Sequence, residues 1–106
     1  RTDLPGRTMT LSSKQKKRLR GLAHALSPNV HLGKQGVTEA VVGQVEQALD
    51  DHELIKIKMQ TDRDEREVWL QQVVERTGAE VAGTIGGVAI LYRAHPDPER
   101  RRVEVD

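Results

Sequence analysis

The chain has no cysteine and no phenylalanine, and its only aromatic residues are Trp69 and Tyr92. Lack of cysteine excludes a disulfide framework, a thiol nucleophile and thiolate-bound zinc, and it fits a reducing compartment. Scarcity of aromatics means that the core is built from Val, Leu, Ile and Ala, and it argues against a base-stacking platform. No apolar run approaches the roughly 18 residues that span a bilayer, so neither a membrane anchor nor a secretory leader is expected. One more absence is local. Between Asp3 and Glu39 there is no acidic residue, while Arg7, Lys14, Lys16, Lys17, Arg18, Arg20 and Lys34 all fall there. From Glu39 to Glu53 the sign reverses, with five acids and no Lys or Arg. Net charge is only +1. A near-neutral chain with one single-sign region can still attract a polyanion at that region.

At 106 residues, 36% of them hydrophobic and 31% charged, the chain is expected to form one domain with a modest core. Residues 1–10 lack periodicity and read as a disordered or appended extension. Residues 95–106, with two prolines and mixed charges, read as a flexible tail. The domain is placed at 11–94.

Within it, "SSKQKKRLRGLAHAL" predicts a first helix. Ser12 and Gln15 have capping-box spacing, and Leu19, Leu22, Ala23 and Leu26 form one apolar stripe. Pro28 breaks the helix, and "NVHL" is a short strand. Thr38 is the expected N-cap of a second helix with Val41, Val45, Ala48 and Leu49 on its apolar face. "LIKIKM" alternates as a strand, with Ile55, Ile57 and Met59 on one face and Lys56 and Lys58 on the other. A third helix carries Trp69, Leu70, Val73 and Val74 and ends at Gly78. Two last strands join at Gly86-Gly87. The predicted fold class is α/β: a two-layer α-β-α-β-α-β-β arrangement with a mixed four-stranded sheet, right-handed crossovers and a final antiparallel hairpin.

The stretch "LGKQGVT" links the first strand to the second helix. Gly33 and Gly36 leave room for a phosphate to approach a helix N-terminus, and Lys34 adds a charge. The same pattern also describes a turn that needs glycine, and by itself does not choose between the two. It is not a nucleotide-binding P-loop, because four residues do not separate the glycines and no Gly-Lys-Ser/Thr follows. Lys56 and Lys58 either solubilise a sheet face or extend a phosphate-binding surface. Trp69 reads as core, and Tyr92 is left open. His24, His31, His52 and His95 show no metal-ligand spacing, and no nucleophile motif appears. No metal, cofactor or catalytic residue is therefore expected, and the chain reads as a non-enzyme.

Taken together, "LSSKQKKRLRGLAHALSPNVHLGKQGVT", "VEQALDDHELIKIKM" and "RTGAEVAGTIGGVAILYR" resemble the CRM domain (chloroplast RNA splicing and ribosome maturation), in particular the small bacterial single-domain YhbY family, from about Leu11 to Arg93. The resemblance implies a fold similar to the C-terminal domain of translation initiation factor three. It also implies RNA binding through Gly33, Lys34, Gln35 and Gly36, with the basic residues of the first helix (Lys14, Lys17, Arg18 and Arg20) and Lys56 contributing. Lys58 extends that surface by its strand position. The expected partner is large-subunit ribosomal RNA or its pre-50S particles, contacted by a monomer in the cytoplasm, with no small-molecule substrate. The chain departs from the resemblance at Gly87, where many relatives carry a basic or polar residue. The rival reading is a protein-interaction module that docks a basic ribosomal protein on the acidic face of the second helix. A hydrolase or nuclease is a more distant third.

Overall fold

The computed structural model describes residues 11–97, 99 and 103. Residues 1–10, and with them the expected N-terminal extension, lie outside the described residues, as does most of the segment after Asp97. In chain order the elements are α1 (Ser13–Ala23), β1 (Val30–Leu32), α2 (Glu39–His52), β2 (Leu54–Met59), α3 (Arg63–Thr77), β3 (Glu80–Ile85) and β4 (Val88–Tyr92). The sheet order is β1-β2-β4-β3. β1 runs parallel to β2, and β4 is antiparallel to both of its neighbours. The element order, the mixed sheet and the terminal hairpin match the expectation.

The helix boundaries follow from local chemistry. The Ser12 hydroxyl accepts from the Gln15 N–H at 3.1 Å, and the Gln15 side chain accepts from the Ser12 N–H at 2.9 Å, closing the capping box. Thr38 caps α2 by accepting from the Val41 N–H at 3.1 Å. Gly78 ends α3 in the left-handed conformation, with φ 74°.

The layering differs from the expectation. α2 and α3 cover one sheet face over Val30, Leu32, Ile55, Ile57, Ala89 and Leu91. α1 lies on the opposite face, where Leu19 and Ala23 pack on Leu54, Ala82, Ile90 and Tyr92. Three layers form rather than two because β2 and β4 are apolar on both faces at the Leu54–Tyr92 end. A strand buried on both sides needs a cover on each. Tyr92, left open by the sequence, is buried here.

α1 is also shorter than its apolar stripe. It ends at Ala23, and Leu22 and Leu26 remain 45% and 39% exposed. The approach of Pro28 disfavours further helix, and the chain turns with the Leu26 N–H on the Ala23 carbonyl.

The junction between α2 and β2 is a single residue, Glu53, at φ 65° and ψ −43°. A side chain in this region is strained, and the surroundings must hold it. Glu53 is buried, and its carboxylate accepts from the backbone N–H groups of His95 (2.7 Å) and Val103 (2.9 Å). Its carbonyl accepts from the Arg93 N–H at 2.9 Å. These bonds tie residues that follow the last strand to the turn. Close by, the Arg93 guanidinium donates to Glu46 (2.6 Å), Asp50 (2.9 Å) and the Thr77 carbonyl (2.6 Å), joining α2, α3 and the end of β4. Arg93→Ala is expected to cost about 1–2 kcal/mol, because both carboxylates are partly solvated and lose little, whereas the carbonyl loses a charged donor. Urea denaturation with an unchanged m-value checks this.

Candidate nucleic-acid interface

β1 and β2 run side by side in the same direction, so both end at the same edge of the domain. The β3–β4 hairpin turns there too, since the Met59 N–H donates to the Gly87 carbonyl at 2.8 Å. This end therefore gathers the loop after β1, the end of β2, the hairpin and the start of α3. A side chain on Gly87 would place its Cβ 3.0 Å from the Met59 carbonyl. Gly87 is thus closely packed.

In the loop, the Gly36 N–H donates to the Gly33 carbonyl at 3.0 Å, which folds Gly33–Gly36 into a tight turn. Lys34 and Gln35 occupy its exposed corner. The two glycines are not equivalent. Gly36 is buried, has φ 68°, and a Cβ there would fall 2.9 Å from the Trp69 indole. Gly33 is exposed, lies outside the left-handed region, and a Cβ there would meet none of the described residues within 4 Å. Trp69, read from the sequence as core, is indeed buried, and it also forms the floor on which the loop rests. Sequence reasoning missed that second role because Trp69 and Gly36 belong to different elements. Thr38 fixes the other end of the loop through its cap on α2. The outcome is a hydrogen-bonded turn that presents Gly33, Lys34 and Gln35 to solvent.

The remaining candidates divide into groups. Lys58 is exposed, lies at the loop end and pairs in register with His31 of β1. His31, taken from the sequence as ordinary, therefore stands beside the loop. The alternation Val30-His31-Leu32 was the available signal, since it turns His31 away from the core. Arg63, exposed at the start of α3, is at the same end. Lys56 is directed elsewhere: its ammonium donates to the Leu26 carbonyl at 2.8 Å, tying the α1–β1 connection to the sheet. Arg20 also has a structural task. Its guanidinium donates to the Ala82 carbonyl at 2.9 Å, at the β3 bulge, and its stem lies over Gly83. Lys14, Lys17 and Arg18 are exposed on α1. The start of α1 sits by Glu80, in register with Tyr92 and Leu54, at the sheet end opposite the loop. The structure thus joins Gly33, Lys34, Gln35, Lys58 and His31. It leaves the α1 cations on a second basic surface, on the helix that covers the other end of the same sheet face.

The acidic face of α2 is largely engaged within the fold. Glu46 and Asp50 pair with Arg93, Glu39 pairs with Arg76, and Asp51 accepts from Gln47. Among the described residues, no group of three or more His, Cys, Asp or Glu side chains is placed to hold a metal, and no helix is long and apolar enough to cross a membrane.

Residues 11–93 match the model of the CRS1 / YhbY (CRM) domain. An RNA-binding protein of Haemophilus influenzae is 47% identical over 85 residues, covering 79% of this chain and 86% of that protein. The probable RNA-binding protein PA4753 of Pseudomonas aeruginosa is 36% identical over 93 residues, covering 87% and 89%. The solution structure of SAV1595 from Staphylococcus aureus, a candidate RNA-binding protein, superposes with a TM-score of 0.75 at 30% identity, covering 90% of this chain and all of that one. On this family match, supported by the shared fold, the chain belongs to the CRS1 / YhbY (CRM) domain family.

Proposed function

We propose that this chain is a non-catalytic RNA-binding protein. It holds the phosphate backbone of a structured RNA on the Gly33–Gly36 loop and acts in assembly of the large ribosomal subunit. The observation that carries the reading is the contrast between the two glycines. Gly36 is demanded by the turn and by Trp69, whereas nothing among the described residues requires Gly33 to lack a side chain. A bare, exposed backbone next to Lys34 suits close approach of a phosphate, which can accept from loop N–H groups while the ammonium neutralises its charge. Lys58 and His31 continue the site along the sheet, and Lys14, Lys17 and Arg18 offer further phosphate contacts from α1. The Haemophilus influenzae RNA-binding protein and the probable RNA-binding protein PA4753, both similar to this chain, support the same class of partner.

The rival reading, a basic ribosomal protein docked on α2, finds less support. Arg93 already occupies Glu46 and Asp50.

Binding of this kind releases counterions, so log K should fall linearly with log salt. Lys34→Ala is expected to weaken binding to structured RNA and to make that slope shallower by roughly 0.7–0.9, the contribution of one phosphate. Unchanged affinity and slope would remove Lys34 from the site. The ribosomal part is tested by crosslinking in cells followed by sequencing of the bound RNA. Reads concentrated on large-subunit ribosomal RNA support it, and a map without ribosomal RNA contradicts it.

A further inference from the structure

The sheet face that carries α1 is only partly covered. Its register gives three successive rows of side chains. The first runs through Leu54, Tyr92 and Glu80, and the second through Lys56, Ile90 and Gly83. Both lie under α1, since Leu19 and Ala23 pack on Leu54, Ile90 and Tyr92, and the Arg20 stem lies on Gly83. The third row is His31, Lys58, Val88 and Ile85, one residue from each strand. Neither Val88 nor Ile85 belongs to the cluster beneath α1. Ile85 is 65% exposed, the most open of the large exposed apolar side chains among the described residues. With strands about 4.8 Å apart, the row extends about 14 Å across the sheet.

The geometry points to this row as a binding ledge for an unpaired nucleotide of the same RNA whose backbone meets the loop, an inference that rests on the function proposed above. Three features select this occupant. The row is continuous with the loop, because His31 is followed by Leu32 and Gly33. It is polar and basic at the loop end (His31, Lys58) and apolar at the far end (Val88, Ile85), with no carboxylate among the four. It also lies on the sheet face that carries α1, between the loop end and the rows that α1 covers, on the direct path from the loop to that helix. A phosphate suits Lys58, and the face of an unstacked base suits the branched side chains of Val88 and Ile85. In a duplex that face is buried in the stack, so the apolar half selects an unpaired nucleotide over a paired one. Contact of this kind is tolerant of sequence.

The test compares the full chain with Ile85→Ser and Lys58→Ala. Each is titrated against a stem-loop RNA with an unpaired loop and against a fully paired duplex of the same length. Val68→Ser, which removes an exposed apolar side chain from α3 (55% exposed), is the control. Ile85→Ser is expected to weaken stem-loop binding about fivefold, through lost burial of apolar surface, with an unchanged salt slope, and to leave duplex binding and the thermal midpoint unaltered. Lys58→Ala is expected to lower both affinity and slope. If Ile85→Ser binds the stem-loop as the parent does while Lys34→Ala is weakened, the ledge is overturned and the loop reading stands. Equal losses on stem-loop and duplex overturn the preference for an unpaired nucleotide. Failure of the parent chain to bind either RNA overturns the loop reading itself. Sedimentation showing a dimer of the parent that Ile85→Ser dissolves overturns the ledge in favour of a second copy of the chain.

Discussion

Gly36→Ala is expected to lower the thermal midpoint by roughly 10–20 °C, whereas Gly33→Ala is expected to leave it within about 2 °C. The difference comes from two independent terms at Gly36. An alanine at φ 68° pays the left-handed penalty, about 1–2 kcal/mol. Its Cβ would also fall 2.9 Å from the indole of Trp69, so the ring or the loop must shift. Overpacking of this kind costs about 1–3 kcal/mol. The sum is about 2–5 kcal/mol, a large share of the stability of a small domain. Neither term acts at Gly33, where φ is unremarkable and the space beside it is open. Thermal melts of the two alanine variants, with the parent under the same conditions, measure the contrast. Similar losses at both positions would mean that the loop needs glycine twice for its own shape.

The second large effect is on binding. Gly33→Asp is expected to fold with a near-parental melt, since the side chain projects into open space, yet to weaken RNA binding about tenfold or more. The carboxylate would stand where a phosphate approaches, adding bulk and like-charge repulsion next to Lys34. Raising the salt should narrow the gap between variant and parent, because screening weakens the repulsion along with the binding. Gly33→Ala should lie between the two, since it adds bulk without charge.

Much of this arrangement was legible in the sequence, and the exceptions have identifiable causes. Thr38 before Glu39, the alternation of "LIKIKM" and Gly78 after "RT" each placed an element boundary by local chemistry, and each recurs in the structure. The loop's position between β1 and α2 was equally readable. The layering was not, because Leu54, Ile90 and Tyr92 acquire a common face only when β2 and β4 pair. The occupation of Lys56 and Arg20 was hidden for a related reason. Their partners are backbone carbonyls of Leu26 and Ala82, 30 and 62 positions away, and carbonyls carry no residue signature. Glu53 gave no sign of its positive φ, since a glutamate there is held by distant N–H groups rather than favoured by its own backbone. The split between the glycines likewise depended on Trp69 arriving from another helix. Within the proposed site, then, Lys34 and the glycines were found from local pattern. His31 required strand register, and the cations with structural tasks required the whole fold.

The central claim is that RNA backbone is held at the exposed half of the Gly33–Gly36 turn. Its most direct test is the affinity of the parent chain and of Gly33→Asp for structured RNA across a series of salt concentrations, with melts of both proteins in the same buffers. Near-identical melts, tight salt-dependent binding by the parent and, for the variant, a weaker affinity with a shallower slope are expected. Superimposable binding curves from two equally folded proteins would contradict it.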